Sequence, residues 1–393
     1  MPVKNAVNRL ETVLQQVLSE PPAVVRAREE RAFAEFAGKN QQPIILHGAG
    51  LLGKLALRGL ERIGLRPIAF TDNNARIWHT DIDGVTVLPP SSASERYRDS
   101  ACFVVTVYNG SAARRQLREL GCTSVAPFAT LAWKYPEIFT PGFGIELPHE
   151  FPMFVDEIRT CSELLADDKS RDELAAQVEW RYWMNFEALP APLDPFETYF
   201  PLDLISPLED EVFVDCGSFQ GDTLPSFTAH WNSRFKHIFA VEPDPQNRKV
   251  LETTIESLGL TDRATIVPCA LGSRNGIVSF ASTGTVVSQI QENGSLSVEC
   301  RRLDAIDWPH MPTYIKMDIE GAEPEAIIGA SDLLRRHHPI LVACTYHRSE
   351  HLWRIPILIH SIAPKYRLFL RRYAEECWEG ICYAIPDDRL RCA

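Results

Sequence analysis

A few acids and glycines in the second half of this 393-residue chain have the types and order needed to hold a cationic cofactor. Asp215 follows the apolar run 212–214 and leads into Gly217 and Gly221. Two positions without side chains let backbone pass close beneath a ligand. Glu242 follows a second apolar run, 238–241. At the end of a strand its two oxygens suit both hydroxyls of a ribose in a charge-assisted bidentate contact. The turn lacks the GxGxxG of a pyrophosphate cradle. S-adenosylmethionine has no pyrophosphate to seat. It presents a sulfonium, an amino-acid end and a ribose diol, and Asp215 would face the amino-acid end. Ser218, Asp222, Thr223, Pro243, Asp244, Cys269, Ala270 and Asp318 complete the expected cofactor-binding set.

Moving a methyl group from a sulfonium to a hydroxyl is an in-line displacement. It needs oxygen, carbon and sulfur held collinear and a group that takes the hydroxyl proton. His347, Asp318 and Glu320 are the candidates. An unperturbed imidazole titrates near neutrality, which makes His347 the leading base; Asp318 could serve instead or bind substrate. Glu323 reads better as a cap of the helix 324–328, where the dipole favours a carboxylate. The trio Asp318, Glu320 and His347 has donors for a divalent cation, but such trios meet often by chance. No metal is assigned, and a cation is the less favoured reading. Lys316, two residues before Asp318, is the expected buried charge partner.

These side chains need a sheet behind them. Apolar runs predict strands over 212–215, 237–242, 265–270, 314–318 and 340–345, alternating with helices, and a closing hairpin over 366–372 and 381–385. Asp215, Glu242, Cys269, Asp318 and Thr345 then all fall at carboxyl ends, where parallel sheets bind ligands. Helix 246–258 carries Val250, Leu251, Ile255 and Leu258 on one face and stops at Gly259. An antiparallel pair, 277–280 with 297–302, interrupts the alternation, and the polar loop inside it reads as a flap over substrate.

On these pieces the chain resembles the FkbM-type S-adenosylmethionine-dependent methyltransferases. The matching text is FVDCGSFQGDT (213–223), FAVEPDPQN (239–247), VPCALGS (267–273), RRLDAI (301–306), IKMDIEGAEPEAIIGA (315–330) and PILVACTYH (339–347), within residues 160–386. The resemblance implies a class I Rossmann-like α/β domain with a seven-stranded mixed sheet. It also implies O-methylation of a hydroxyl on a sugar, glycan or secondary metabolite, as in polysaccharide biosynthesis. Departures from the pattern are bulky Phe219 and Gln220 after Ser218, Pro225 in the first turn of a helix, and Arg372 where histidine is expected. Proline is tolerated at a first helical turn.

Upstream, Gly48, Gly50 and Gly53 spell GxGxxG between the apolar run 44–46 and a helix over 51–63, and Asp72 closes the next strand. That is the placing of a dinucleotide turn and its ribose-binding acid. Strands over 85–88, 102–107 and 124–127 and a helix over 112–120 complete a smaller Rossmann-like unit. With IDGVTVLPPS (82–91) it resembles small nucleotide-binding domains at the front of some sugar acyltransferases. It reads either as a second site, for a nucleotide, nucleotide-sugar or coenzyme A fragment, or as a unit that only packs. The chain thus divides into N-terminal helices (1–39), a Rossmann-like nucleotide-binding unit (40–131), a helical, aromatic connector (132–207) and the methyltransferase domain (208–393). Two other readings stay open: a non-catalytic nucleotide-sugar-binding or regulatory protein, and an NAD-linked oxidoreductase using GAGLLG.

In the connector, 141–148 reads as an extended linker. Phe154, Ile158, Cys161, Leu164 and Leu165 mark one helix, and Leu174, Val178, Tyr182 and Phe186 another. Tyr199 and Phe200 either touch ligand or serve the core. At the N-terminus Val3, Val7, Leu10, Leu14 and Val17 form one stripe, which would dock on the body or pair copies into a homo-oligomer. Forty Lys and Arg against 52 Asp and Glu give −12 with no long basic run, which argues against a nucleic-acid partner and for a small-molecule or glycan substrate. Ten scattered cysteines suit a reduced, cytoplasmic setting. No 18-residue apolar run predicts membrane insertion.

Overall fold

The structure is a computed structural model that describes residues 3–37, 42–139, 147–281, 289–290 and 296–391. Most of the expected linker 141–148 and all but two residues of the expected flap 282–295 lie outside the described residues.

Six strands make the first sheet: β1 (Ile44–His47), β2 (Ala69–Thr71), β3 (Asp81–Ile82), β4 (Val85–Leu88), β5 (Cys102–Val105) and β6 (Ser124–Pro127). Their order is β3-β4-β2-β1-β5-β6, parallel except for the β3–β4 pair. Every residue of β1 and β5 is buried, as continuous apolar runs must be when helices cover both faces of a parallel sheet. The strand expected over 102–107 stops at Val105, because Thr106 turns its hydroxyl onto the carbonyls of His47 and Gly48, at 3.0 and 2.7 Å.

The second sheet holds β7 (Val212–Cys216), β8 (His237–Val241) and β9 (Ala264–Val267). A small separate sheet follows, with β10 (Ala270–Leu271), β11 (Gly276–Ala281), β12 (Gln289–Ile290) and β13 (Leu296–Arg301) in the order β10-β13-β11-β12. The chain then returns with β14 (Tyr314–Met317), β15 (Ile340–Cys344), β16 (Arg367–Arg372) and β17 (Gly380–Ile385). The large sheet is seven-stranded and mixed, β16-β17-β15-β14-β7-β8-β9, with only β17 running antiparallel to its neighbours. One expected strand is corrected. The run 265–270 is cut at Pro268, which has no amide for the ladder; β9 ends at Val267, and Ala270 begins the small sheet.

The connector helix Asp168–Trp183 ties the two sheets together. Leu174, Ala175, Val178 and Tyr182 enter the core of the large sheet, while Trp180 and the following Met184 enter the core of the front unit. Polar residues between them are buried but paired. Glu173 lies 2.7 Å from Arg372, and Gln177 and Arg181 donate to the carbonyls of Glu376 and Ser349, both at 2.9 Å. Arg372 therefore serves this packing. Helix Val3–Ser19 docks on the same connector through Leu10, Val13, Leu14 and Val17, all at most 5% exposed. Each such side chain contributes about 1.5–3 kcal/mol on burial.

Candidate active site

The chain order of the large sheet reverses at β7, which has β8 on one side and β14 on the other. A crevice at the carboxyl ends of β7 and β14 is where such sheets take ligands. Gly217, at φ 79°, lies against the end of β14: a Cβ there would fall 1.9 Å from the carbonyl oxygen of Asp318. Gly221, at φ 84°, is left-handed too. The amides of Gly217 and Ser218 donate to the Val241 carbonyl at 3.0 and 3.1 Å, and the Ser218 hydroxyl donates back to the Asp215 carbonyl at 2.7 Å. The turn is thereby stitched to the end of β8, next to Glu242.

Glu242 is 5% exposed. Its Oε2 accepts the amide of Phe219 at 2.9 Å and its Oε1 that of Asp244 at 2.8 Å, and the Asn247 side chain bonds to it as well, which still leaves acceptor capacity among the four lone pairs. Burial pushes its carboxyl up to about 7, against the pull of the two amides and Asn247. Asp244 caps the helix Pro245–Ser257 by accepting the Gln246 amide at 2.7 Å. Pro243 is half-buried, Asp222 is exposed, and Thr223, Cys269 and Ala270 are buried. Asp215 has no exposed surface, and its Oδ1 lies 2.9 Å from Nζ of Lys316, its register partner on β14. Burial raises Asp215 to about 6, while Asp215 and Asp318, outweighing burial, hold Lys316 above its usual range. The pair lies between β7 and β14 beneath the glycine turn, where Nζ of Lys316 also donates to the Gly217 carbonyl at 3.0 Å.

Asp318, Glu320 and His347 come together at the ends of β14 and β15, with one donor atom from each inside 4.8 Å of the others. Nε2 of His347 is 3.2 Å from Oδ1 of Asp318 and 3.8 Å from Oε2 of Glu320, and Nδ1 is 2.8 Å from the fully buried Oε1 of Glu323. Glu323 also accepts the amides of Ile319 and Gly321 at 2.9 and 3.3 Å. It is a brace for the loop and the imidazole more than a simple helix cap. Burial alone would lower His347, but Glu323 and Asp318 outweigh it and hold the imidazolium well above its ordinary range. These carboxylates favour the charged form of the free ring.

Aromatics from three parts of the chain, among them the connector's Tyr199, complete the mouth. The Tyr199 hydroxyl donates to Oδ2 of Asp318 at 2.8 Å, and the Tyr346 hydroxyl to Oδ1 at 3.3 Å. Phe200, the neighbour of Tyr199, is buried core. Trp378 packs near Tyr346, with ring centroids 6.2 Å apart, and edge-on to Tyr108 of the front unit at 4.6 Å. Burial and the charge of Glu320 together raise Tyr108. The loop after β5 is fixed there by Arg114 on Glu376 at 2.7 Å and by the Ser111 amide on Glu375 at 2.6 Å. An open cleft of about 470 Å³ lies at the opposite, amino end of the large sheet beside Thr313 and Arg389, away from all these groups.

In the front unit Gly48, Gly50, Gly53 and Asp72 also converge. A Cβ on Gly53 would sit 2.0 Å from the Gly48 carbonyl, and Asp72 accepts the amides of Ala49 and Asn74, both at 2.8 Å. His47 beside them is buried and pushed down to about 4, hence neutral.

Residues 215–376 match the family model described as the methyltransferase FkbM domain. This segment is an FkbM methyltransferase domain. A solved methyltransferase FkbM from Methylobacillus flagellatus KT is 21% identical, with 98% of this chain and 100% of that one covered at a TM-score of 0.72. At that identity it shows a common fold, front unit and connector included. A precorrin-6y C5,15-methyltransferase from Geobacter metallireducens GS-15 (13% identity, 49% of this chain and 85% of that one, TM-score 0.30) is also similar. So is a putative caffeoyl-CoA O-methyltransferase from Staphylococcus aureus (10% identity, 53% and 91%, TM-score 0.30). Both are too distant to inform the site. No curated protein matches the chain. Among the described residues, no helix is long and apolar enough to cross a membrane.

Proposed function

We propose that the FkbM domain binds S-adenosylmethionine at the carboxyl ends of β7 and β8 and methylates a hydroxyl on a sugar, glycan or related metabolite. The observation that carries this is Glu242. Its carboxylate is locked by two amides beside a glycine turn that tolerates no Cβ, with lone pairs left for a ribose diol. The charge of this edge also suits a cationic ligand, because Glu242 follows β8 and Asp318 and Glu320 follow β14, all at carboxyl ends of the same sheet. Bound S-adenosylmethionine supplies an electrophilic methyl group, whose bond to sulfur breaks, leaving the electron pair on sulfur, as the bond to the acceptor oxygen forms. The chain's own part is placement. Gly217 lets the turn lie against β14, Tyr199 and Tyr346 fix the carboxylate of Asp318, and Glu323 orients His347. The carboxylates of Asp318 and Glu320 face the mouth and stand to receive the acceptor's proton.

Calorimetry with S-adenosylmethionine and, separately, NAD tests the reading. The expected result is binding of the first, lost in Glu242→Ala. Binding of NAD alone would point to an oxidoreductase using the front unit and overturn it.

A further inference from the structure

We propose that Asp318, Glu320 and His347 form a divalent-cation site at the mouth of the crevice, which holds the acceptor hydroxyl and helps it ionise. This rests on the methyl-transfer reading for its role but not for its existence.

Two carboxylates and an imidazole near one another would not alone make a site. The independent observation is the direction of His347. Its side chain is only 7% exposed, yet Nε2, buried and 3.2 Å from Oδ1 of Asp318, is aligned with no hydrogen-bond partner. It points between two carboxylates without an aligned hydrogen bond to either; the proton that these carboxylates favour on the free ring is the charge a cation would replace, leaving Nε2 free to ligate. That is the geometry of a donor aimed at a common point. Ligands about 2.1 Å from an octahedral ion stand about 3 Å apart, close to the 3.2 and 3.8 Å found from Nε2 to Asp318 and Glu320.

Two further features belong to such a site. Metal-binding histidines give their second nitrogen to a carboxylate or carbonyl, which fixes the ring and its tautomer. Nδ1 of His347 is 2.8 Å from Glu323, a carboxylate with no exposed surface. Glu320, for its part, has φ 55°. A non-glycine residue in the left-handed region is strained and persists where surrounding structure imposes it. Here that backbone turn brings Glu320 back toward Asp318 and His347.

The donor set selects the ion class. Carboxylates favour magnesium and manganese, and an imidazole shifts the preference toward the transition series. Three protein donors leave about three octahedral positions for water and the acceptor oxygen. A hydroxyl on the ion gives up its proton to a neighbouring carboxylate. The oxygen keeps the electron pair with which it attacks the methyl carbon.

The test is direct. Mn²⁺ is titrated into the full-length chain and the loss of the free-ion electron paramagnetic resonance signal is followed. One ion per chain is expected. Glu320→Gln and His347→Gln should each weaken binding at least about 10-fold, and Glu323→Gln, acting through the imidazole, about 10–100-fold. Cooperative thermal unfolding of the same variants shows that they are folded, and calorimetry of S-adenosylmethionine on Glu242→Ala, which leaves the three ligands untouched, keeps the two readings apart. No bound Mn²⁺, or binding that Glu320→Gln and His347→Gln leave unchanged in variants that still unfold cooperatively, overturns the site without touching the donor crevice.

Discussion

The front unit and the FkbM domain repeat one local design and diverge where chemistry begins. In each, a buried strand runs into a glycine turn and a helix, and an acid ends the neighbouring strand. Asp72 and Glu242 even make the same pair of contacts. Each accepts an amide from the glycine turn, Ala49 or Phe219, and one from two residues ahead, Asn74 or Asp244. The difference lies across the switch point. Beyond β7 the next strand, β14, carries Lys316 and ends at Asp318, with Glu320 and His347 close by. Beyond β1 the next strand, β5, is apolar and ends at Val105, and the hydroxyl of the following Thr106 is spent on the carbonyls of His47 and Gly48. A crevice comes with the fold, whereas reactive groups come from the strand that faces it.

The sharpest way to break that contrast is to remove the charge pair found in one sheet and absent at the matching β1–β5 register. Lys316→Met leaves Asp215 buried without its countercharge, a change worth about 3–5 kcal/mol of stability. Adding Asp215→Asn should return part of that loss, because neither charge is then stranded. Thermal unfolding of the two variants measures both. A single variant as stable as the parent would mean that the pair does not brace the crevice.

The glycine turns separate next. Gly217→Ala puts a methyl group against the Asp318 carbonyl at φ 79°, which should cost about 3 kcal/mol and abolish S-adenosylmethionine binding. Gly50→Ala meets nothing within 4 Å, at an ordinary φ of −77°, and should cost below about 1 kcal/mol. Equal losses in unfolding midpoint would show that the two turns are under the same constraint.

Much of this was legible in the chain because the information is local. Gly217 and Gly221 stand in sequence with the strand they follow, and Glu242 ends an apolar run, so spacing alone places them beside a sheet's carboxyl edge. Lys316 reads from spacing as a charge partner on the face of Asp318, whereas its pairing with Asp215 comes from the register of β7 against β14. The mouth was not legible. Tyr199 and Asp318 are 119 positions apart, and Ser111 and Glu375 are 264 apart. No periodicity links residues that only tertiary packing brings together. The burial of Asp215 and the protonation of His347 are likewise properties of the assembled surroundings. Pro268 was a readable signal of a different kind, since a proline inside an apolar run marks where a ladder must stop.

The smallest contrast is between the two acids, and pH resolves it. Glutamate titrates near 4.5 when unperturbed, and burial raises Glu242 to about 7 in the folded chain. The folded state therefore keeps this proton to higher pH than the unfolded one. Its contribution to stability is complete below the unfolded value and is lost as pH rises through about 7. Cofactor binding should run the other way. A ribose diol donates to an ionised carboxylate, so S-adenosylmethionine affinity should fall below about pH 7, approaching about tenfold per unit. Opposite slopes for stability and affinity, both flattened in Glu242→Gln, are the expected signature. Asp72→Asn should leave the affinity within about threefold of the parent, because the front acid lies outside this crevice. An affinity that is flat from about pH 6 to about pH 8 in the parent chain would place the diol elsewhere and leave Glu242, like Asp72, as a clasp for its own glycine turn.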